Sequence, residues 1–437
     1  MPIVMNKTQV PVENLSKDLY VIELDRPWLE TPFLFQGFRI TEEAELAQLR
    51  QYCSFVYIDP ERSSASALMA LAPLLGAEYP PKKSSTPRTP YPSSRPARAQ
   101  YDDTAVTFGT APRPDDRRFR KLVEKAQRER GQARGVIDEV MRDIRLGRSV
   151  DADDARELVK NLAGTIADNA SASLWLTNLK NRDEYTSIHS LNVCIMAVAF
   201  GRHLGLARDD LYDLGLGALL HDIGKTRTPD EILNKPGKLT PEEFEIMKLH
   251  AQDGYEIMAA TKSVPQKALE TIRFHHERTS GLGYPLGLKG DQIPFFATIT
   301  GLSDSYDAMT SDRCYKNGMT PTRALELLYN EASADSDREL VRQFISCIGM
   351  YPVGSLVELD TGALGIVVAP HIDVHLAPVV LLVRRPDGVP YEKRELLNLA
   401  VAGSDSDRKL GARIRRVLHP RDTDLDVRAI IAAEFRP

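Results

Sequence analysis

The sequence is poor in cysteine and has no long apolar run, and both shortages limit the class of protein it can be. Its 437 residues include four cysteines, with no close pairs. This scatter fits reduced thiols and argues against a disulfide framework and a zinc knuckle, so any metal must be held by other side chains. No apolar run approaches the roughly 20 residues that span a bilayer, and the N-terminus lacks the basic-then-apolar pattern of a signal peptide. We therefore expect a cytoplasmic protein without membrane insertion.

A strong excess of either charge is also absent. The formal net charge is -5 at pH 7, with 56 basic and 61 acidic residues. This balance gives no whole-chain attraction to a nucleic acid polymer or an anionic membrane, so an anionic substrate must meet a local basic patch. The length suggests two to four domains rather than a minimal binding module.

Hydrophobic periodicity divides the chain into four parts. Residues 1–72 alternate β-branched and aromatic runs around one helix with Thr41 as its N-cap, which predicts a small β-rich (α+β) domain. Residues 73–117 are predicted to be a linker, because positions 80–100 hold six prolines and five basic residues but no acidic one. Helical spacing dominates residues 118–350, and strand-like runs between turn signals make residues 351–437 a β-rich tail. The fold class is thus multidomain, with an all-α body, and the long helix after residue 118 is a candidate for homodimer formation.

Five of the nine histidines lie in the helical body, in segments that otherwise have buried patterns. They are His189, His221, His250, His275 and His276. A single histidine on an apolar face is more often a core residue with one hydrogen bond than a ligand. Five of them with two buried-looking carboxylates, Asp222 and Asp304, are improbable unless the groups satisfy each other or share metal, because an unpartnered buried carboxylate is costly. Imidazole and carboxylate are ligands of zinc, manganese and iron.

Local patterns fix the secondary structure around these histidines. His189 shares a helical stripe with apolar residues one, two and three turns later. The helix of His250 has Thr240 as N-cap and Glu243 at its third position, which is a capping box. The adjacent His275 and His276 diverge by about 100° on a helix and can reach one ion only near a helix end.

Four segments, in order and spacing, carry a resemblance to a known family. HDIGK begins at residue 221, LH at 249, HHERTSGLGYP at 275 and DSYDAMTSDRCYK at 304. Together they resemble the HD-GYP family of HD-domain metal-dependent phosphohydrolases. The resemblance covers roughly residues 150 to 350, and the N-terminal domain is similar to the small domain of unknown function that often precedes this body. It implies an HD-type α-helical bundle around a metal centre, and hydrolysis of cyclic di-GMP.

The resemblance also implies which residues hold metal. One ion would be held by His189, His221, Asp222 and Asp304, and the second by Asp222, His250, His275 and His276. Asp222 is then the bridging ligand. Some family members hold a third ion through a glutamate one turn before the first histidine. Tyr185 occupies that position here, and the neighbouring Glu184 lies on a different part of the helix surface. We therefore expect two divalent transition-metal ions, iron or manganese.

The resemblance further implies the residues that act on phosphate. Two ions roughly 3.5 to 4 Å apart can share a hydroxide and clamp the oxygens of an in-line displacement. Asp222 and Lys225 are the expected catalytic residues, and Lys225, Arg313 and Lys316 are expected to meet phosphate oxygens. A solvated loop charge is the alternative for these cations, and it is about as probable as phosphate binding for Lys316.

The GYP tripeptide is expected to contribute to substrate binding. It comprises Gly283, Tyr284 and Pro285, and a tight turn after a helix is its alternative role. Ser280 and Cys314 stand where the family usually has aspartate and proline. Neither is an expected metal ligand, but Ser280 lies in the loop that docks partner proteins such as GGDEF-type cyclases in this family.

The predicted function is hydrolysis of cyclic di-GMP to the linear dinucleotide pGpG, and onward to GMP, in bacterial second-messenger signalling. Two alternatives remain open, namely a non-catalytic cyclic dinucleotide sensor and an HD phosphohydrolase acting on another cyclic dinucleotide or an alarmone. The intact ligand set favours an enzyme, because a pure sensor has no need of a bridging Asp222 beside an activating Lys225.

Overall fold

The computed structural model describes most of the chain in two compact units, residues 1–106 and 107–437. The described residues are 8–26, 31, 33, 37–75, 128, 131–132, 134–140, 142–144, 153–168, 174, 177, 185–311, 318–332, 335–369, 376–400 and 413–434. The predicted linker lies outside them from position 76 onward. Most of the predicted helix after residue 118 also lies outside them, although residues 134–140 are helical. The domain boundaries stay predictions.

The first unit contains a four-stranded antiparallel sheet with strand order β1-β4-β2-β3. Its elements are β1 (Thr8–Pro11), β2 (Tyr20–Leu24), β3 (Phe38–Arg39), α1 (Glu43–Tyr52), β4 (Phe55–Ile58) and α2 (Ala65–Leu75). Val21, Val56 and Ile58 of the two central strands are fully buried, together with Leu49 of α1. This confirms the small β-rich domain that the sequence predicts.

Two details of this unit differ from the sequence interpretation. The N-cap of α1 is Glu42 rather than Thr41, because the Glu45 carboxylate accepts hydrogen bonds from the backbone N–H groups of Thr41 and Glu42, at 2.7 and 3.0 Å. The second helix, α2, was not predicted. Its nearly continuous apolar run has no helical period that would separate it from a strand or a linker.

The helical body in the second unit is a bundle built around one buried helix. Its helices are α3 (Asp153–Asp168), α4 (Tyr185–His203), α5 (Arg208–Leu220), α6 (Asp230–Leu233), α7 (Pro241–Ala260), α8 (Gln266–Phe274), α9 (Phe295–Thr310), α10 (Pro321–Glu331) and α11 (Asp335–Ile348). Residues 188–201 of α4 are buried on every side, as expected for a helix that is apolar all round. It contacts α3, α5, α9 and α11. Among the helices that the structure describes, none has the length and apolar character needed to cross a membrane.

The capping box of α7 is present as predicted. The Thr240 hydroxyl accepts the N–H of Glu243, and the Glu243 carboxylate accepts the N–H of Thr240 at 2.7 Å. This pair satisfies two of the N–H groups that a helix start leaves without partners.

Glycines allow the segments of the bundle to approach closely. The 3₁₀ turn Ile223–Arg227 follows α5 and lies against α7. A Cβ on Gly224 would lie 1.9 Å from the His250 carbonyl oxygen and 2.5 Å from the Gly254 nitrogen. Similarly, a Cβ on Gly301 of α9 would lie 2.3 Å from the His275 carbonyl oxygen. Glycine at these positions therefore brings α7 against the turn after α5, and α9 against the end of α8.

The C-terminal part is a five-stranded antiparallel sheet with order β8-β7-β6-β5-β9. Its elements are β5 (Leu356–Leu359), β6 (Leu364–Ala369), β7 (Val379–Arg384), β8 (Leu396–Asn398), β9 (Ile414–Leu418) and α12 (Val427–Glu434). The three strands predicted from the sequence are β5, β6 and β7. Val427 and Ile431 of α12 pack on Ile366 and Leu381, so this sheet has a core of its own.

We predict that Gly224→Ala destabilises the helical body, because the new methyl group would collide with backbone atoms that cannot rotate away. Overpacking costs about 1–3 kcal/mol, and more where the backbone must move. Gly164→Ala in α3 is the matched control, because its Cβ would meet no atom of the described residues within 4 Å and alanine is the better helix former. Urea unfolding followed by circular dichroism compares the two variants. Equal midpoints for Gly224→Ala and the wild type would contradict the close approach.

Candidate metal centre

All seven of the predicted metal ligands lie together in the helical body. His189 lies on α4, His221 and Asp222 directly follow α5, His250 is in the middle of α7, His275 and His276 follow α8, and Asp304 lies on α9. Six of the seven are buried, and the side chain of His276 is 17% exposed. The centre is thus assembled from five helices or helix ends, which are separated by loops along the chain.

The ligand atoms form two groups, within each of which all the atoms lie less than 4.8 Å apart. The first contains His189, His221 and Asp304, and the second contains Asp222, His250, His275 and His276. In the first, His189 Nε2 lies 3.1 Å from Asp304 Oδ1. In the second, His250 Nε2 lies 3.5 Å from His275 Nε2. The two groups match the two predicted ligand sets with one difference. Asp222 is predicted to belong to both sets, but its ligand atom falls within the second group alone.

Asp222 lies between the two groups and turns one oxygen towards each. Its Oδ2 is 3.4 Å from His221 Nε2 and 3.8 Å from His189 Nε2. Its Oδ1 is 3.5 Å from His250 Nε2. A carboxylate so placed has the geometry of a bridge between two ions.

The ring orientation of three histidines is fixed by their own helices. The Nδ1–H groups of His221, His250 and His275 donate to the carbonyl oxygen three residues earlier, at 2.8, 2.6 and 2.8 Å. A carbonyl can only accept, so in the neutral ring each Nε2 is the unprotonated atom that a metal requires.

Two buried atoms of the centre have no hydrogen-bond partner within the described part of the chain, His221 Nε2 and Asp222 Oδ1. Unpartnered buried polar atoms are costly and rare in folded proteins. A bound cation would satisfy both of these acceptors. The donor set is imidazole and carboxylate without thiolate, which suits a divalent transition metal. The residues therefore fit the implied metal ions.

The electrostatic environment favours the protonation states that metal binding needs. Burial lowers the pKa of His250 to about 4, and lowers the pKa values of His275 and His276 well below the usual range. Burial would raise the pKa of Asp222 and of Asp304, but neighbouring histidines, and Lys225 beside Asp222, hold both carboxyl pKa values well below the usual range. Neutral imidazoles and ionised carboxylates are the ligand forms of these side chains.

His189 differs, because a second buried carboxylate contacts it. Its Nδ1 lies 2.8 Å from Oδ2 of Asp307, which is 1% exposed. Burial lowers the pKa of His189, but hydrogen bonds with Asp304 and Asp307 outweigh it and raise the pKa to about 9. Sequence reasoning missed Asp307. The available signal was its position one helical turn after Asp304, on the same face of α9.

Lys225 lies at the edge of the centre. Its ammonium group donates to Asp222 Oδ2 at 2.6 Å, and its side chain is 24% exposed. A cation that is close to the ligands and still partly open to solvent can contact both the centre and an incoming anion. Arg313, Lys316 and Cys314 lie outside the described residues, as does Glu184, and the side chain of Tyr185 is not described. Phosphate binding by Arg313 and Lys316, and the absence of a third ion, stay predictions.

The GYP tripeptide packs against the histidine ligands. The Tyr284 ring lies over His276 with ring centroids 4.5 Å apart, and it meets His250 edge-on at 6.2 Å. The N–H of Tyr284 donates to the His276 carbonyl at 3.2 Å. A Cβ on Gly283 would lie 2.4 Å from the Arg278 nitrogen. Glycine is therefore needed at position 283, where the backbone of the loop passes close to the backbone of Arg278. Gly283 and Tyr284 therefore brace the histidine pair, and a substrate contact of these residues or of Pro285 stays a prediction.

Glu277 fixes the far side of this loop and was also missed from the sequence. This carboxylate is 4% exposed, and it accepts the N–H groups of Leu286, Gly287 and Leu288 at 2.7, 3.1 and 2.9 Å. A buried carboxylate with three backbone donors is fully satisfied without a metal. Glu277 is thus a loop anchor rather than a ligand.

Comparison with known proteins supports the family resemblance that the motifs indicate. The HD domain family profile matches residues 168–340, and the profile of a domain of unknown function (DUF3391) matches residues 7–155. The chain is 33% identical over 381 residues to cyclic di-GMP phosphodiesterase PA4108 of Pseudomonas aeruginosa, covering 85% of this chain and 84% of that protein.

Two shorter matches fall on part of the chain. A cyclic di-GMP phosphodiesterase of Thermotoga maritima is 40% identical over 169 residues, which is 38% of this chain and 45% of that protein. A 3'3'-cGAMP-specific phosphodiesterase 2 of Vibrio cholerae is 34% identical over 188 residues, which is 43% of this chain and 34% of that protein.

The match to PA4108 extends over most of both proteins, so it includes the helical body as well as the flanking regions. The HD profile covers all seven residues of the centre and the GYP loop. With the four motifs in their order, these findings show that the chain belongs to the HD-GYP family of HD-domain phosphodiesterases.

Proposed function

We propose that this enzyme hydrolyses cyclic di-GMP, opening it to the linear dinucleotide pGpG and then to GMP, at a centre of two divalent ions. The observation that supports this most is the position of Asp222, whose two oxygens face different groups of histidines. The proposed ligand sets are those implied by the sequence, with iron or manganese as the metal. We place this activity in cytoplasmic second-messenger signalling.

Bound ions would supply a metal-activated hydroxide and would stabilise charge on the phosphoryl oxygens. The residues of this chain do the remaining work. The backbone carbonyls that hold His221, His250 and His275 aim each Nε2 at the centre. Burial of the ligands keeps water out and strengthens the electrostatic interactions within the site. Lys225 is placed to neutralise a phosphate oxygen beside Asp222.

The relatives favour cyclic di-GMP among possible substrates. The protein that matches over most of this chain is named a cyclic di-GMP phosphodiesterase, whereas a relative named for 3'3'-cGAMP matches over 43% of the chain. A different cyclic dinucleotide is therefore the second candidate substrate. We also propose that Arg313 and Lys316 bind phosphate, and that GGDEF-type cyclases are partners at the loop that holds Leu282, a residue that is 88% exposed.

The substrate proposal is tested by incubating the metal-loaded protein with cyclic di-GMP, 3'3'-cGAMP and cyclic di-AMP, and separating the products by chromatography. We expect cyclic di-GMP to be consumed fastest, with pGpG appearing before GMP. Faster consumption of 3'3'-cGAMP would assign the second substrate. Binding without consumption of any of the three would assign a sensor.

The bridging position of Asp222 predicts different effects for two variants. Asp222→Ala should abolish hydrolysis and lower the metal content at both positions, because one carboxylate serves both ions. His250→Ala should empty mainly one position. Elemental analysis and steady-state turnover on the same preparations measure both effects. Identical metal losses in the two variants would rule out the bridge, and so would retained activity in Asp222→Ala.

The proposed role of Arg313 predicts a loss of rate without a loss of metal. Losing a donor to a developing oxyanion costs on the order of 100-fold or more in turnover, so Arg313→Ala should lower turnover by that factor. Arg313→Lys should recover part of it, because an ammonium group lacks the planar donor fork. Arg323→Ala is the matched control, since Arg323 is half-exposed and pairs with Glu326 on α10. Unchanged turnover in Arg313→Ala would make Arg313 a solvated loop charge.

A further inference from the structure

The Nδ1 contact of His189 differs in kind from those of His221, His250 and His275. The Nδ1 groups of His221, His250 and His275 are held by neutral carbonyls of their own helices. That of His189 is held by the carboxylate of Asp307, which lies 118 residues later in the chain and on another helix. The contact therefore joins α4 to α9, the two helices that carry His189 and Asp304.

Asp307 is itself held in place. Its Oδ1 accepts the side-chain amide of Asn192 at 3.1 Å, and its Oδ2 accepts the hydroxyl of Ser311 at 3.0 Å as well as the His189 bond. Asn192 is 1% exposed and lies one turn after His189 on α4. A buried carboxylate with several fixed donors has little freedom to turn, so it sets the orientation of the imidazole that it contacts.

This arrangement makes the two ligand groups unequal in charge. The group of His189, His221 and Asp304 has the Asp304 carboxylate and, behind His189, the charge of Asp307. The group of Asp222, His250, His275 and His276 has the Asp222 carboxylate, and the Nδ1 groups of His250 and His275 face neutral carbonyls. A carboxylate behind a ligand histidine raises the basicity of the ring and its strength as a metal donor.

We propose that Asp307 is a positioning residue that fixes His189 and makes one of the two metal positions the tighter one. The first ion would bind at the group of His189, His221 and Asp304, and the second at the group of His250, His275 and His276. This inference rests on the proposed two-ion centre.

The test is a Co²⁺ titration of the metal-free full chain, because the visible spectrum of Co²⁺ reports its ligands. Elemental analysis gives the stoichiometry. Asp307→Asn keeps an acceptor oxygen and nearly the same volume but removes the charge. We expect it to weaken the first Co²⁺ position about 10–100-fold, the usual effect of losing such a partner, and to alter the spectrum of the first ion. The second position should bind Co²⁺ as in the wild type.

Two further variants separate charge from structure. Asp210→Asn makes the same chemical change at the surface end of α5, where Asp210 pairs with Lys267, and it should leave both positions unchanged. Asp307→Ala removes the acceptor and should weaken the first position further than Asp307→Asn. If Asp307→Ala does not fold, Asp307→Asn alone decides the question.

The outcomes distinguish this inference from the proposed function. A wild-type chain that fails to bind two Co²⁺ ions overturns the two-ion centre itself. A second outcome is that the wild type binds two ions while Asp307→Asn binds each of them with the wild-type affinity and the wild-type spectrum. In that case the two-ion centre stands and the proposed role of Asp307 is wrong. Equal weakening at both positions would also overturn the inference, because it would make Asp307 a general support of the fold.

Discussion

The burial of Asp222 is the constraint on which the rest of this centre depends. A carboxylate that is 1% exposed must be compensated by cations or donors. Lys225 supplies part of this compensation, because its ammonium group donates to Oδ2. His221 Nε2 lies near Oδ2 and His250 Nε2 lies near Oδ1, but in the neutral rings both are unprotonated acceptors. The same arrangement leaves Asp222 Oδ1 and His221 Nε2 without hydrogen-bond partners in the described part of the chain. These two buried acceptors are thus arranged to bind a ligand, because they do not satisfy each other by hydrogen bonding.

The backbone around the centre reaches the required closeness through glycine. A Cβ on Gly224, Gly301 or Gly283 would lie 1.9, 2.3 or 2.6 Å from the carbonyl oxygen of a histidine of the centre, namely His250, His275 or His276, respectively. Each glycine therefore stands where another segment crosses behind one of these histidines. The histidines are fixed from behind by backbone contacts and from the side by Tyr284, so their positions depend little on flexible side chains.

The sequence by itself determined the identity of the main elements and of the candidate ligands. The capping box at Thr240, the apolar stripe of His189 and the strands β5 to β7 follow from residue type and spacing within one segment. The seven candidate ligands could be named because buried imidazoles and carboxylates are chemically conspicuous, and because the motifs around them resemble a family. Local errors, such as the cap at Thr41, arose from side-chain contacts that the pattern does not show, since the Thr41 hydroxyl donates to the Glu45 carboxylate.

Tertiary structure decided how these residues act on one another. The sequence places Asp307 on the same helical face as Asp304, but only packing showed that it contacts His189. Glu277 was indistinguishable from a metal ligand until the loop folded over it. The tripeptide at Gly283 was expected to contact substrate, but its clearest contacts are with the histidine pair. Periodicity describes one element at a time, whereas these contacts join segments that are separated along the chain. Their geometry exists only once the helices have packed on one another.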